Sequence, residues 1–282
     1  MRAAKTTFET FHAMHDDFFV IAPTWDILSA TALHATGYKA IATTSVGAGF
    51  ARGVTSEEVV TKDEMLALVT SICNAVDIPV SVDMESGYAD TEEGLADNVR
   101  QLIEAGAVGL NLEDNSDKPG SPLVAPDAHA DRIRIIRRVA EQEGVRLFIN
   151  ARTDAFWIKD GVPASEKAAE SIERGNHYRK AGADGIFVSG PKIPESVIAP
   201  LAAGIDAPLN LLMQPDWPPI AELRRRGVIR LSLGSWHARA VYGFMQTALE
   251  RLRDAENLDL LGEYAKPTGQ VDKAIYAARP KR

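Results

Sequence analysis

An alternation of short apolar segments with helical patterns constrains the fold of this chain most strongly. Each apolar segment has the length and the β-branched composition of a buried parallel strand, and a helical pattern follows it. The alternation recurs about eight times over roughly 240 residues, which is the count and size of a (β/α)8 TIM-type barrel. The predicted strands are Phe18–Ala22, Lys39–Ser45, Pro79–Glu85, Ala107–Glu113, Arg146–Arg152, Gly185–Ser189, Pro208–Met213 and Val228–Leu233.

Glycines at the ends of the helical patterns support the same interpretation. Gly106, Gly182 and Gly227 each follow a helical pattern and precede an apolar segment, as C-cap glycines do. A doubly wound sheet is the competing topology, but it needs a glycine-rich turn after the first strand, where residues 23–26 read Pro-Thr-Trp-Asp. The glycine-rich stretch Val46–Val54 is predicted to be a loop that can approach a ligand closely.

No linker interrupts the alternation, so we predict a single barrel domain over residues 1–256. The segment 257–282 is polar and is predicted to be a C-terminal tail. Such a tail either binds a partner as an arm or frays.

Charge and composition exclude several classes of function. A formal net charge of -8 argues against general nucleic-acid binding and against binding to anionic membrane surfaces. No apolar run reaches the roughly 18 residues of a membrane span, and the N-terminus lacks the apolar core of a signal peptide. The single cysteine, Cys73, rules out an internal disulfide and fits a reducing compartment. We therefore predict a cytoplasmic protein with no nucleic-acid or membrane partner.

Two carboxylates end the third predicted strand. Asp83 and Glu85 are two positions apart, and residues at that spacing in a strand face the same side. Carboxylates held close together repel one another unless a cation lies between them. A hard divalent cation, most plausibly Mg²⁺ with several waters, is the expected partner. The alternative is a strand-end turn whose acids are simply solvated.

The other predicted strands also end in polar residues, and in a barrel these ends form one rim. The combination of carboxylates, one arginine, amides and hydroxyls suits a small, oxygen-rich anion bound to Mg²⁺. Arg152 is the expected counter-ion for that anion, and a structural ion pair with Glu113 or Asp154 is the alternative. The predicted rim consists of Thr43–Ser45, Asp83, Glu85, Glu113, Asp114, Asn150, Arg152, Asp154, Ser189, Asn210, Gln214 and Ser232–Ser235.

Three motifs occur in order along these strands: SVDMESGY at Ser81–Tyr88, GLNLED at Gly109–Asp114 and NARTDAF at Asn150–Phe156. Together they resemble the isocitrate lyase/phosphoenolpyruvate mutase superfamily, and the resemblance extends over about residues 8–250. It implies a (β/α)8 barrel that binds Mg²⁺, or Mn²⁺ in its place, together with a pyruvate-like carboxylate. Members of the superfamily break or form a C–C or P–C bond beside that carboxylate.

The resemblance also implies roles for individual residues. Arg152 would neutralise the substrate carboxylate or the developing oxyanion, and Arg152 and Glu113 are the predicted catalytic residues. The implied metal ligands, acting mostly through waters, are Asp83, Glu85 and Glu113. The predicted ligands of a small carboxylate substrate are Thr44, Ser45, Arg152 and Asn210.

Superfamily members usually form tetramers, as dimers of dimers in which the last barrel helix is swapped between subunits. The matching helix here is Ser235–Asp254, so the resemblance implies a homotetramer of this kind. The predicted helix carries an apolar face that a neighbouring subunit could cover. This face consists of Val241, Phe244, Met245 and Leu249.

Two departures from the superfamily pattern bear on the activity. Lyase-type members carry a Lys-(Lys/Arg)-Cys-Gly-His loop after strand four, whereas Asp114–Ser121 contains neither Cys nor His. Mutase-type members place an Asp in the loop after strand two, where this chain has Ser56 followed by Glu57 and Glu58. A standard isocitrate or methylisocitrate lyase is therefore not expected, and a phosphonomutase assignment is weakened.

Three hypotheses follow from these motifs. The first is a Mg²⁺-dependent carbon–carbon lyase or decarboxylase that acts beside a 2-oxo or 2-hydroxy carboxylate through an enolate. The second is a P–C bond enzyme of the phosphoenolpyruvate mutase or phosphonopyruvate hydrolase type. The third is a non-catalytic relative that still binds a keto acid. The general acid–base residue is unassigned, with Tyr88, Ser121 and Lys118 as candidates.

Overall fold

Eight parallel strands close into one barrel in the computed structural model, which describes residues 5–55, 60–115, 123–158, 161–255 and 257–280. Each strand pairs with its neighbours in sequence, and the last pairs back with the first. This topology confirms the predicted (β/α)8 barrel. The strands are β1 (Phe19–Thr24), β2 (Ile41–Thr43), β3 (Val80–Asp83), β4 (Gly109–Glu113), β5 (Phe148–Thr153), β6 (Gly185–Val188), β7 (Leu209–Leu212) and β8 (Val228–Ser232).

Helices connect the strands and cover the outside of the barrel. They are α1 (Lys5–Ala13), α2 (Ile27–Ala35), α3 (Ser45–Ala51), α4 (Lys62–Ala75), α5 (Glu92–Ala105), α6 (Pro126–Gln142), α7 (Ala155–Ile158), α8 (Ala164–Lys180), α9 (Ile198–Gly204), α10 (Ile220–Arg225), α11 (Trp236–Ala255), α12 (Asp259–Tyr264) and α13 (Thr268–Ala278). Local chemistry sets several boundaries. Asp26 begins α2 with a capping box, in which its Oδ1 accepts from the Ser29 backbone N–H at 2.6 Å. Gly106 ends α5 with φ of 108°, as the sequence predicted.

The interior of the barrel is polar at mid-height. Asn111 on β4 and Asn150 on β5 are register partners, and Asn150 Nδ2 donates to Asn111 Oδ1 at 2.8 Å. Asn210 on β7 and Arg230 on β8 are register partners as well. All four side chains are buried. The strands therefore turn apolar residues toward the helices and polar residues toward the barrel axis.

Helix α1 covers the N-terminal end of the barrel, which the sequence analysis did not predict. Phe8 and Phe11 are fully buried, and the ring of Phe11 meets that of Phe148 edge-on at 5.5 Å between centroids. His15, just after α1, stacks on Phe148 at 3.7 Å, and its Nδ1–H donates a hydrogen bond to the Phe11 carbonyl oxygen at 2.9 Å. These contacts close the end of the barrel that lies opposite the predicted rim.

The glycine-rich stretch Val46–Val54 does not form the predicted loop, because α3 occupies most of it. Thr44 begins this helix, and its Oγ1 accepts from the Gly47 N–H at 3.2 Å. A Cβ on Gly47 would lie 2.6 Å from Thr44 Cγ2, so glycine lets the helix approach the end of β2. The prediction was wrong because close packing here outweighs the low helix propensity of glycine.

The segment after α11 is helical and part of it is packed rather than frayed. Helix α13 lies against α2, and Ala278 joins a buried cluster with Ala30, Ile41 and Ile72. Helix α11 instead leaves most of its side chains exposed. Within the described residues, no helix combines the length and the apolar character that crossing a membrane requires.

Candidate active site

A cavity of about 550 Å³ opens at the C-terminal ends of the strands. Its volume lies in the range of small-molecule sites, and this end of a barrel is where such sites form. Most of the predicted rim contributes to its wall. The lining includes Thr43, Thr44, Ser45, Asp83, Glu85, Asn111, Glu113, Asn115, Arg152, Asp154, Trp157, Phe187, Ser189, Gln214, Arg230, Ser232, Ser235, Trp236 and Arg239.

Asp83 is held at the end of β3 by its neighbours on β2 and α3. The hydroxyl of Ser45 donates to Asp83 Oδ2 at 2.9 Å, and the Ser45 backbone N–H donates to the same oxygen at 3.3 Å. The hydroxyl of Thr43 accepts from the Asp83 backbone N–H at 2.9 Å. Ser45 and Thr44 both line the cavity, but their polar groups are engaged, Ser45 with Asp83 and Thr44 as the α3 cap. Their role as substrate ligands stays a prediction.

Glu85 reaches the cavity from a left-handed backbone rather than from the strand. Strand β3 ends at Asp83, and Glu85 has φ of 47°, an uncommon value for a residue with a side chain. The Glu113 backbone N–H donates to the Glu85 carbonyl at 2.9 Å and fixes this turn to β4. Tyr88 also has positive φ, at 54°. Such outliers persist where the surroundings hold them, and they cluster at functional sites.

Arg152 lies between two acids on the cavity wall. Its Nε and Nη2 donate to the two oxygens of Asp154 at 2.7 and 2.9 Å, and its Nη1 is 2.6 Å from Glu113 Oε2. Both structural ion pairs that the sequence analysis considered are therefore present. A guanidinium carries five N–H groups, so one on Nη1 and one on Nη2 remain for a ligand in the cavity. Arg152 can therefore form its structural ion pairs and act as the counter-ion of an anionic ligand at the same time.

The charges around Glu113 favour a cation in this cavity. Burial raises the pKa of Glu113, Arg152 opposes that rise, and the carboxylates of Asp154, Asp83 and Glu85 increase it. Within the described ranges, no three His, Cys, Asp or Glu side chains come close enough to ligate one metal ion directly. An oxygen-only donor set that is too open for direct ligation fits hydrated Mg²⁺, which normally keeps several waters.

Four predicted rim residues do not form part of the cavity wall: Asp114, Asn150, Asn210 and Leu233. Asp114 points away from it and is fully buried, accepting from the Tyr178 hydroxyl at 2.7 Å and the Asp154 N–H at 2.9 Å. Its role is to anchor the β4 and β5 ends to α8, because the strand alternation turns it outward. Asn210 lies in the barrel interior, where its Oδ1 accepts from the Ser232 hydroxyl at 3.0 Å. Its role in substrate binding stays a prediction.

Of the three acid–base candidates from the sequence, only Tyr88 lies among the described residues, and its position does not support the role. The Tyr88 side chain lines a separate small pocket with Met65 and Leu102, outside the cavity wall. Burial, reinforced by Glu85, raises the pKa of Tyr88, which disfavours its deprotonation. Lys118 and Ser121 lie outside the described residues, as do Ser56, Glu57 and Glu58 of the mutase-type position.

The structure adds cavity residues that the sequence analysis did not single out. Trp157 on α7 donates from Nε1 to the Ser189 hydroxyl at 2.9 Å and covers one side of the mouth. Trp236 and Arg239 on α11 form the other side, with the guanidinium 4.4 Å from the indole ring centre. Arg230, in the middle of β8, contributes to the floor of the cavity. Arg230 could have been identified from the sequence, because it is a charged residue in the middle of an apolar strand. No sequence feature pointed to Trp157 or Trp236.

Comparison with known proteins agrees with this geometry. A family model described as phosphoenolpyruvate phosphomutase matches residues 8–253, close to the span expected from the motifs. An uncharacterised protein of Mycobacterium tuberculosis is 34% identical over 259 residues, covering 91% of this chain and 94% of that protein. A crystal structure from Burkholderia cenocepacia J2315, provisionally assigned as a phosphonomutase, matches with a TM-score of 0.83 and 31% identity over 88% of this chain and 100% of that one. The 2-methylisocitrate lyase of Escherichia coli K12 is 30% identical over 158 residues, which are 54% of this chain and 50% of that enzyme. This chain is therefore a member of the isocitrate lyase/phosphoenolpyruvate mutase superfamily, a superfamily of lyases and mutases.

Proposed function

We propose that this enzyme is a Mg²⁺-dependent lyase or decarboxylase that cleaves or forms a C–C bond beside a small 2-oxo or 2-hydroxy carboxylate. The observation that carries the proposal is the presence of Asp83, Glu85, Glu113 and Arg152 on the wall of one cavity. This combination provides oxygen ligands for a hard cation and a fixed guanidinium for an anion.

The residues act on the charge that such a reaction develops. Breaking a bond beside a carbonyl leaves an enolate, and the two remaining N–H groups of Arg152 would donate to its oxygens. Glu113 and Asp154 hold the guanidinium in place, so little reorganisation is needed when the charge appears. Mg²⁺, held largely through waters by Asp83, Glu85 and Glu113, would polarise the carbonyl as a Lewis acid. Mn²⁺ would serve the same purpose.

The second candidate is a P–C bond enzyme of the phosphonomutase or phosphonopyruvate hydrolase type. It is favoured by the 31% identity to the Burkholderia cenocepacia structure, which this chain matches along its whole length. The lyase relative is matched over 50% of its length. Both candidates use the same metal, carboxylate and guanidinium, so the cavity wall alone does not separate them.

Turnover assays distinguish the two candidates. Purified enzyme with Mg²⁺ is incubated with a panel of 2-oxo and 2-hydroxy acids, and separately with phosphonopyruvate followed by phosphorus NMR. The lyase proposal requires Mg²⁺-dependent consumption of an acid in the first panel and an unchanged phosphorus spectrum. Conversion of phosphonopyruvate without any turnover in the first panel would reject it in favour of the second candidate.

Asp83→Asn is expected to abolish stabilisation by Mg²⁺. The change removes the charge that the Ser45 hydroxyl and backbone N–H hold in place, while the shape of the side chain is kept. At a Mg²⁺ concentration a hundred times the wild-type Kd, the wild type should gain about 2.7 kcal/mol. Thermal unfolding with and without Mg²⁺ measures this difference. The matched control is Asp90→Asn, at an exposed position in the connection between β3 and α5. This variant should retain the full stabilisation by Mg²⁺. An equal gain in Asp83→Asn would exclude Asp83 as a metal ligand.

We also propose a cytoplasmic homotetramer in which α11 is swapped between subunits. The predicted apolar face of α11 is exposed, with Val241 at 44%, Met245 at 49% and Leu249 at 58%. A groove of about 930 Å³ between α3 and α11 is continuous with the cavity mouth through Trp236 and Arg239. The α11 helix of a second copy presents the same apolar residues and would cover this groove.

Charge placed on the exposed face of α11 is expected to dissociate the assembly. Met245→Glu combined with Leu249→Glu should lower the molar mass from that of a tetramer, because burying two carboxylates in an apolar interface is costly. Light scattering coupled to size-exclusion chromatography measures the mass. Thr247→Glu adds one such carboxylate at another exposed position of the helix and should not change the mass. An unchanged mass in the double variant would indicate an ordinary intramolecular helix.

A further inference from the structure

Arg230 is a buried cation to which the described residues offer no hydrogen-bond acceptor. It lies in the middle of β8, its side chain is almost fully buried, and it contributes to the floor of the candidate cavity. None of Nε, Nη1 and Nη2 has a hydrogen-bond partner among the described residues. The ring of Phe11 lies 5.9 Å from the guanidinium carbon, and it provides the surface on which the group rests.

Donors outnumber acceptors around this guanidinium. Asn210, the register partner of Arg230, uses its Oδ1 to accept from Ser232, which leaves Nδ2 as a buried donor without a partner among the described residues. Asn111 likewise uses its Oδ1 to accept from Asn150. A site with more free hydrogen-bond donors than acceptors is suited to a ligand group that only accepts hydrogen bonds.

The energetics point in the same direction. A buried charge is costly unless it is paired, and an arginine does not release its proton at neutral pH. Burial lowers the pKa of Arg230 to about 9, and the charge of Asp83 acts against this decrease. Asp83 already accepts two hydrogen bonds from Ser45. Arg230 therefore remains a cation, and the described protein supplies no anion in contact with it.

We propose that Arg230 at the floor of the cavity, together with its register partner Asn210 in the barrel interior, forms an anion-binding subsite that takes one carboxylate group. The rim site at Arg152 and the floor site lie in the same cavity, so a single dicarboxylic acid can engage both. The substrate would then be a 2-oxo or 2-hydroxy dicarboxylic acid, an assignment that rests on the proposed function. A free small carboxylate with the same chemistry is the other source of the group.

The subsite is tested first without metal, so that the outcome does not depend on the proposed function. Thermal unfolding of the wild type, Arg230→Met and Arg239→Met is followed in increasing sodium formate, with ionic strength held constant by sodium gluconate. Formate should raise the melting temperature of the wild type and of Arg239→Met, which removes a cation from the mouth of the same cavity. The increase should be lost in Arg230→Met. No formate-dependent increase, or an equal one in Arg230→Met, would overturn the proposal.

The source of the carboxylate is tested with a matched pair of 2-hydroxy acids in the presence of Mg²⁺. Malate has a second carboxylate, and lactate does not. If the substrate supplies the group, Arg230→Met should weaken malate binding at least tenfold and leave lactate binding unchanged. If both affinities are unchanged while the formate effect is lost, the subsite belongs to a free anion. Should Arg230→Met fail to fold, wild-type crystals soaked in bromide should show an anomalous peak in contact with the guanidinium. A site without bromide would overturn the proposal.

Discussion

Arg152→Lys is expected to weaken the binding of oxalate, a mimic of the pyruvate enolate, by about a hundredfold or more in the presence of Mg²⁺. Lysine keeps the positive charge but cannot donate at once to both oxygens of Asp154, to Glu113 and to a ligand. Isothermal titration measures the affinity, and the turnover of any substrate found should fall by about three orders of magnitude.

Arg152→Met should additionally destabilise the fold by about 3–5 kcal/mol, because Glu113 and Asp154 would be left as buried acids without their counter-ion. Arg137→Lys is the matched control. Arg137 pairs with Asp184 and with the Gly182 and Leu147 carbonyls, away from the cavity. That variant should lose stability but keep oxalate affinity. Unchanged oxalate affinity in Arg152→Lys would mean that Arg152 has a structural role and does not bind the ligand.

Acidification below pH 6.5 is expected to destabilise the protein steeply, because two histidines are buried. Burial, with a contribution from the nearby Arg230, lowers the pKa of His15 to about 3. Burial also lowers the pKa of His129 to about 3, with contributions from Arg132 and Arg174. The unfolded chain takes up these protons near pH 6.5, so it binds more protons than the folded chain between about pH 6.5 and 3. The stability contributed by each neutral histidine is therefore lost as the pH falls through that window, at about 1.4 kcal/mol per pH unit.

His129→Gln isolates one of these contributions. His129 packs against Tyr178, at 4.6 Å between ring centres, far from the cavity wall, and glutamine keeps a polar side chain without the titration. Urea unfolding between pH 6 and pH 4 should show a slope of stability against pH that is smaller than that of the wild type by about 1.4 kcal/mol per unit. Identical slopes would mean that His129 is protonated, or exposed, in the folded protein.

The barrel could be predicted from sequence because its signal is repeated. Eight apolar strands, each followed by a helical pattern, leave few alternatives, and each glycine that ends a helix fixes a boundary. Single elements without repetition were missed or misassigned. Helix α1 is short and mostly polar, and only its contacts with Phe148 reveal it, whereas α3 contains two glycines that argue against a helix.

The sequence placed Asp83, Glu85 and Glu113 on one rim, and all three line the cavity, but the reason given for Asp83 and Glu85 holds only in part. Strand alternation would place Asp83 and Glu85 on one face, yet the strand ends at Asp83 and a left-handed turn brings Glu85 to the cavity. The same alternation rule, applied to Asp114, excludes it from the rim. Arg230 could have been found by that rule, since Arg230 and Ser232 are two positions apart on β8.

Thermal unfolding with Mg²⁺, with oxalate and with both shows whether this cavity binds Mg²⁺ and a small 2-oxo acid together. Ligands that bind the folded state stabilise it by mass action, by about 2.7 kcal/mol at a hundredfold excess over the Kd. We expect an oxalate-dependent increase in melting temperature that requires Mg²⁺. No increase with oxalate, or the same increase in the presence of a chelator, would mean that the cavity does not bind Mg²⁺ and a small 2-oxo acid together.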